Sequence, residues 1–117
     1  MNIEEAREYC LKKKGVTEGF PFGDTALVFK VAGKMFCLAN LEGRSTLNLK
    51  NLPAKNIELR EHYPAITPGY HMNKQHWNTV EINSNIPNDL IRQLIDESYQ
   101  LVVKGLTVQQ KAELKNL

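Results

Sequence analysis

Apolar and polar residues alternate through the middle of the chain in the way that β-strands require. The runs "TALVFKV" and "KMFCLANL" are rich in β-branched and aromatic residues and are separated by Ala32 and Gly33. This predicts a hairpin with the glycine at a positive φ. After a turn at 42–44, "STLNLK" alternates Leu47 and Leu49 with polar neighbours. The pattern therefore predicts a three-stranded antiparallel meander whose third strand has one buried and one solvent-facing side.

Alternation returns after the loop "AITPG", and two further strands are predicted there. In "WNTVEIN", Val80 and Ile82 are expected to face the core, whereas Trp77, Thr79 and Glu81 point to the opposite face. This register places the only tryptophan of the chain on the polar side of the sheet.

Helical spacing and end signals predict the helices, and the glycine- and proline-interrupted stretch "GFPFGD" is predicted to be a loop. The first helix is expected at about 2–14 with Asn2 as its cap, and the second between Pro53 and Pro64. The third is expected at about 88–104 before Gly105, and the short last one at the capping box of Thr107 and Gln110.

The predicted order is αβββαββα followed by a short C-terminal helix, in one domain that spans 1–117. Antiparallel strands grouped between helices predict an α+β fold with two layers. We expect a five-stranded antiparallel sheet with helices on one face and a partly open second face. Lys30, Asn48, Lys50 and Trp77 are predicted to share that open face, which would form a concave polar surface.

The charge of the chain is concentrated in its middle. The net charge is +2, but residues 25–83 hold seven basic and four acidic side chains and therefore sum to +3. A domain pI above about 9 is the usual footprint of nucleic-acid binding, and the value here is about 8.5. The totals therefore allow a local basic patch without demanding one.

Composition places the chain among cytoplasmic globular proteins. Apolar residues make up 42% of it, with no run long enough to cross a bilayer. The N-terminal stretch "MNIEEAREYC" lacks the apolar core of a signal peptide. Cys10 and Cys37 fall in a predicted helix and a predicted buried strand, so we expect free thiols in a reducing compartment.

The stretch "GYHMNKQHWNTV" (69–80) concentrates the polar chemistry of the chain, but it matches no metal or catalytic pattern. His71 and His76 are five positions apart, His62 lies on another element, and no paired-ligand spacing such as CxxC or HExxH occurs. No G-x-S-x-G nucleophile motif is present either. Burial would raise the pKa of Cys37 and make its thiol unreactive. We therefore expect no metal, no cofactor and no enzymatic activity.

Nucleic-acid binding requires cations for phosphates and aromatic or amide groups for bases. Side chains of these types that are predicted to lie near one another are Lys30, Lys34, Lys50, Lys74, His76, Trp77 and Asn78. The same residues have an ordinary alternative role, because a tryptophan can simply cover a sheet and lysines keep exposed strands soluble. Residue types alone leave both interpretations open.

Four segments, taken in order, resemble the MmcQ/YjbR family of small bacterial proteins over nearly the whole chain. They are "PFGDTALVFKVAGKMFCL", "LNLK", "YPAITPGYHMNKQHWNTV" and "LIDESYQLVVKGL". The resemblance implies a fold like that of type III secretion chaperones. It also implies DNA binding through a double-wing arrangement, without a cofactor or a catalytic step. The positions that match the family's pattern are Pro21, Phe22, Gly23, Asp24, Lys34, Phe36, Lys50, Tyr70, His71, Met72, Lys74, His76 and Trp77.

The leading hypothesis from the sequence is therefore a non-enzymatic DNA-binding protein of low sequence specificity. It would dock the basic sheet face and the 69–80 loop on the phosphate backbone. In this scheme Phe22, Phe36 and Met72 have packing roles. One alternative is a protein-binding, chaperone-like adaptor or homodimer that uses the same open face. Another is a small-molecule pocket between the "GFPFGD" loop and Trp77.

Overall fold

The computed structural model describes residues 1–117. It contains four helices and one six-stranded sheet, in the order αββββαββαα. The strands are β1 (Val16–Gly19), β2 (Ala26–Val31), β3 (Lys34–Asn40), β4 (Thr46–Lys50), β5 (Ile66–Pro68) and β6 (Trp77–Glu81). The helices are α1 (Ile3–Leu11), α2 (Pro53–His62), α3 (Asn88–Lys104) and α4 (Val108–Lys115). None of them is both long enough and apolar enough to span a membrane.

The sheet is antiparallel throughout and has the strand order β1-β2-β3-β4-β6-β5. The predicted α+β class and the antiparallel sheet are confirmed. The predicted count of five strands misses β1, the edge strand. Its sequence "VTEG" has no apolar alternation, and what defines it is backbone pairing with β2, in which Val16 lies opposite Val31.

The helix boundaries follow the predicted signals closely, except at the end of α1. Asn2 and Glu5 form a capping box, and Pro53 opens α2. Thr107 and Gln110 cap α4. Helix α1 ends at Leu11, before the three lysines that the prediction included in it, and Lys13 pairs with Asp96 of α3 instead.

The hydrophobic core lies between the helices and one face of the sheet. Strand residues at alternate positions, such as Leu27, Phe29, Leu47 and Leu49, are buried there against α3. Since the side chains of a strand alternate between faces, the remaining strand residues form the opposite face, which no helix covers.

The hairpin and an irregularity in β3 shape one end of the sheet. Ala32 and Gly33 both have positive φ values, 50° and 76°, as a type I′ turn requires. Farther along β3 the register shifts opposite Phe29 and Lys30. As a result Phe36 is fully buried next to the equally buried Cys37, which breaks the alternation at that point.

Ser98 of α3 joins β3 and β4 where their direct pairing ends. The last pair of these strands is Cys37 with Leu49, so Phe36 and Lys50 would come next. The Ser98 hydroxyl accepts a hydrogen bond from the Lys50 backbone N–H at 2.9 Å and donates one to the Phe36 carbonyl at 2.5 Å. The hydroxyl therefore replaces a ladder bond and positions the end of β4.

Both cysteines are free and buried, as the sequence predicts. Cys10 of α1 lies against Cys37 of β3, and the hydrogen bond between the two thiols, together with burial, raises the pKa of Cys37 well above its ordinary value. The Cys37 thiol therefore stays protonated at neutral pH.

Removing the Ser98 hydroxyl should destabilise the fold measurably. Ser98→Ala leaves the Lys50 N–H and the Phe36 carbonyl without their partner, and an unsatisfied buried polar group costs about 1–3 kcal/mol. Urea unfolding monitored by circular dichroism measures the change. Ser45→Ala is the matched control, because the structure shows no hydrogen bond from the Ser45 side chain, and it should change the free energy of unfolding by less than about 0.5 kcal/mol. Equal stability of the two variants would contradict the bridging role of Ser98.

Candidate functional site on the open face of the sheet

The face of the sheet away from the helices carries three rows of side chains, each crossing several strands. The central row consists of Val28, Leu38, Asn48 and Thr79, which lie opposite one another on β2, β3, β4 and β6. One flanking row contains Ala26, Asn40, Thr46 and Glu81, and the other contains Lys30, Met35, Lys50 and Trp77. We call this surface the open face.

Two loops border the open face and make it concave. The segment 20–25 follows β1, and its Phe20 and Pro21 share a shallow depression with Val28. Val28 is buried although it points away from the helices. On the other side, residues 69–76 connect β5 to β6 and place Tyr70 and His71 over the sheet.

A pocket of about 750 Å³ lies between these loops, and we call it the open-face pocket. Its floor and walls come from both loops and from four strands. The lining residues are Phe22, Thr25, Ala26, Met35, Leu38, Asn40, Thr46, Asn48, Tyr70, His71, Met72, Asn73, Trp77 and Thr79. No lysine, arginine, aspartate or glutamate is among them.

Asn48 is the most deeply buried polar side chain of the pocket, with 6% of its surface exposed. Its carbonyl oxygen accepts a hydrogen bond from the Thr79 hydroxyl, which in turn accepts one from the Tyr70 backbone N–H at 3.1 Å. The Asn48 amide nitrogen has no hydrogen-bond partner in the protein. Because the structure contains no fully buried side-chain nitrogen or oxygen without a partner, this nitrogen opens to the pocket.

Hydrogen bonds within the 69–76 loop hold its shape. The Asn73 side-chain oxygen accepts from the backbone N–H groups of Gln75 and His76, an arrangement that asparagine favours in turns. Lys74 donates from Nζ to the Gly69 carbonyl at 3.0 Å. The backbone N–H of Trp77 donates to the Asn73 carbonyl. Together these bonds fix the conformation of the loop up to the start of β6.

His71 adopts a left-handed backbone conformation, with a φ of 58°. Its ring lies 4.0 Å from that of Tyr70, measured between centroids. Tyr70 is 69% exposed, and so is Phe22 on the opposite loop. Aromatic side chains therefore mark both rims of the pocket. Phe22, which was predicted to have a packing role, is a rim residue, whereas Phe36 is buried as predicted.

Three of the seven predicted site residues share the open face. Lys30 lies opposite Met35, and Lys50 lies opposite Trp77, in one row at the end of the pocket. The predicted outward registration of Trp77 is confirmed. Neither lysine lines the pocket itself.

The structure separates Lys34 from this group. Lys34 pairs with Val31 across the hairpin, and Val31 is fully buried on the helix side. Directly opposed residues of an antiparallel pair project to the same face. Lys34 therefore belongs to the helix side, where it is exposed at the hairpin end, and its predicted placement beside Lys50 is wrong.

The placement of Asn78 on the binding face is also wrong. This side chain is 2% exposed and lies on the helix side, where it accepts a hydrogen bond from Arg60 at 2.8 Å and donates to the Asn56 carbonyl. Of the remaining residues, His76 is exposed in the loop, and Lys74 bonds to Gly69.

Two further observations bear on the chemistry of this face. Glu81 also belongs to it, and the carboxylate pairs with Arg44 at 3.3 Å. The structure contains no group of three or more histidine, cysteine, aspartate or glutamate side chains that could hold a metal ion. The open face therefore combines a neutral pocket with a few cations at one end.

The comparison with known proteins assigns the chain to a family. The family model described as YjbR matches residues 11–101. The chain belongs to the YjbR family. The resemblance read from the sequence is thereby confirmed, although the match carries no information on a ligand.

Relatives within the YjbR family are similar over nearly their full length. The chain is 43% identical to the uncharacterized protein YbdF of Escherichia coli O157:H7, over 88% of this chain and 85% of that one. It is 31% identical to the uncharacterized protein YjbR of Escherichia coli K12, over the whole of both. The crystal structure of Deinococcus radiodurans DR2400 superposes with a TM-score of 0.91 at 37% identity, covering 97% of this chain and 88% of that one.

The alternation of the strand residues already placed most strand residues of the pocket on the open face. The predicted site was nevertheless built on the lysines. Asn48 stands between Leu47 and Leu49 in a central strand, where a polar residue is unusual and the alternation already assigns it to the open face. The lining by Tyr70, His71 and Met72 depends on the loop conformation, which no periodic pattern specifies.

The tight contact between Gly69 and Trp77 generates a prediction for this YjbR protein. A Cβ at Gly69 would lie 2.9 Å from the Trp77 Cβ and 3.0 Å from its carbonyl oxygen. Gly69→Ala should therefore displace the 69–76 loop and destabilise the protein by about 1–3 kcal/mol, the usual cost of overpacking. Urea unfolding monitored by Trp77 fluorescence measures this cost.

Gly19→Ala provides the matched control for the Gly69 variant. A Cβ at Gly19 meets no atom within 4 Å, so this variant should unfold at nearly the same urea concentration as the native protein. If both substitutions leave the midpoint unchanged, the close approach of Gly69 to Trp77 does not constrain the loop.

Proposed function

We propose that this YjbR protein binds a small organic molecule non-covalently in the open-face pocket. The observation that carries the proposal is the pocket of about 750 Å³ between the two loops. Ligand sites of proteins typically enclose about 300–1,000 Å³, and their walls are mainly apolar with a few placed polar groups. The open-face pocket matches this description in both volume and lining.

The nature of the lining supports reversible binding without a covalent step. Trp77, Met35 and Leu38 offer apolar contact, and the pocket has no carboxylate, ammonium or thiol group. Cys37 lies in the core and not in the pocket, and its raised pKa keeps the thiol protonated. A non-enzymatic role is therefore part of the proposal.

Strand addition by a peptide is disfavoured by the edges of the sheet. The edge strand β1 has four residues and β5 has three, and Pro68 removes a donor from the second edge. The predicted protein-binding adaptor or homodimer would instead cover the open face, including the pocket. A small molecule bound between the two loops would fill more of the pocket volume than a partner protein lying across the face.

The uncharged dye N-phenyl-1-naphthylamine should bind in the pocket and increase its fluorescence saturably. Filling the floor with Ala26→Phe should abolish this signal, because Ala26 and the opposed Asn40 both line the pocket. Fluorescence titration at constant protein concentration measures the binding.

Thr67→Phe is the matched control for the dye experiment. Thr67 lies opposite Thr79 and is exposed on the same face of the sheet, but it does not line the pocket. This variant should retain the dye signal. The proposal would fail if Ala26→Phe, shown to be folded by circular dichroism, bound the dye as well as the native protein does.

DNA binding is a second candidate, and the row that contains Lys30 and Lys50 favours it. These two cations, with Lys74 and His76 in the adjacent loop, would contact phosphates from one end of the open face. Three phosphate contacts, one for each of the three lysines, imply a slope of about −2.7 in the logarithm of affinity against the logarithm of salt concentration. Such binding would be weak at physiological salt.

Exchanging Lys30, Lys50 and Lys74 together for glutamate should abolish binding to a fluorescein-labelled duplex at low salt, measured by anisotropy. The matched control exchanges three lysines of the helix side with the same change in net charge, namely Lys34, Lys55 and Lys104. Loss of binding in both triple variants would indicate an effect of net charge alone, and retention in the first would refute this DNA-binding surface.

A further inference from the structure

We infer that the ligand of the open-face pocket is an uncharged, planar aromatic or heteroaromatic molecule that presents a carbonyl or equivalent acceptor to the Asn48 side chain. This inference rests on the proposed function and specifies its ligand class. Three features of the pocket determine the class: the unpaired Asn48 amide on the floor, the lack of lysine, arginine, aspartate and glutamate in the lining, and aromatic side chains on both walls.

The donor is the Asn48 amide nitrogen. Asn48 is buried, with 6% of the residue exposed. Its oxygen is already occupied by the Thr79 hydroxyl, and that hydroxyl is held in turn by the Tyr70 N–H. This chain of bonds fixes the orientation of the amide and directs its free N–H groups toward the pocket. In the free protein this nitrogen meets solvent in the pocket. A ligand that excludes solvent must supply an acceptor, because an unsatisfied buried donor is costly.

The lack of lysine, arginine, aspartate and glutamate in the lining disfavours a strongly charged ligand group at the floor. Lys30 and Lys50 stand at the end of the pocket and do not line it. An ion transferred into an apolar cavity loses its hydration without a compensating partner. The ligand body at Asn48 is therefore expected to be neutral.

The walls favour a flat ring system. Phe22 lies on one rim and Tyr70 on the other. Trp77 also lines the pocket, in the row that contains Lys50. Aromatic faces attract other rings in stacked or edge-on geometry. Met35 and Met72 supply polarizable thioethers that adapt to ring edges.

The test compares coumarin, a planar uncharged bicycle with a carbonyl group, with 2H-chromene, which has the same rings without the carbonyl. Both are titrated into the 15N-labelled native protein and monitored by two-dimensional NMR. Coumarin should bind about two- to tenfold tighter, as expected for one neutral hydrogen bond. The Asn48 side-chain NH₂ signals should shift downfield with coumarin only.

Asn48→Val should remove this preference while keeping the strand intact, because valine suits a β-strand. Its affinities for coumarin and 2H-chromene should become equal. Asn85→Val removes an exposed amide outside the pocket and should leave the preference unchanged. Should Asn48→Val fail to fold, the downfield shift of the Asn48 NH₂ in the native protein decides the question.

Failure of the ligand class can be distinguished from failure of the pocket. Equal binding of coumarin and 2H-chromene to the native protein, or a preference that survives in folded Asn48→Val, would overturn the role of Asn48. Binding of N-phenyl-1-naphthylamine without binding of either bicycle would overturn the ligand class and leave the pocket function standing. No binding of any of the three compounds would overturn both.

Discussion

Helix α3 lies across β2, β3 and β4, and this contact determines which side chains remain available for recognition. Its buried residues Ile91 and Ile95 occupy the helix side of the sheet, and the hydroxyl of Ser98 takes the place of a ladder bond between β3 and β4. Because strand side chains alternate between faces, sealing one face assigns every second strand residue to the other. The pocket is therefore a consequence of one-sided packing, completed by two loops.

The loops differ in how firmly the rest of the fold holds them. The 69–76 loop is held by the Asn73 turn, the Lys74 ammonium and the close approach of Gly69 to Trp77. The 20–25 segment follows a four-residue edge strand, and its Phe22 is mostly exposed. For the proposed ligand, such an arrangement would provide one preformed wall and one wall with fewer fixed contacts, and entry would be from the side of the 20–25 segment.

Local patterns in the sequence were sufficient for the elements whose own residues determine them. Alternation predicted the outward direction of Trp77, and capping signals predicted the starts of α2 and α4. Strand β1 was missed because only its pairing with β2 defines it. The predictions for Lys34 and Asn78 were wrong for another reason, because they followed residue type and not the alternation of strand side chains between the two faces. A two-residue turn puts Lys34 on the face of Val31, and alternation puts Asn78 on the face of Val80.

The same alternation of side chains explains why the positive charges of the middle segment do not form one surface. Residues 25–83 carry a net charge of +3, yet Lys34 lies on the helix side and Arg60 bonds to Asn78 beneath α2. On the open face Arg44 is matched by Glu81. What remains there is a pair of strand lysines at one end of a neutral concavity. A duplex is attracted by a continuous row of cations, whereas a concavity lined by uncharged donors such as the Asn48 amide selects a ligand by shape and by hydrogen bonding. The placement of the charges, more than their number, therefore favours a small neutral ligand.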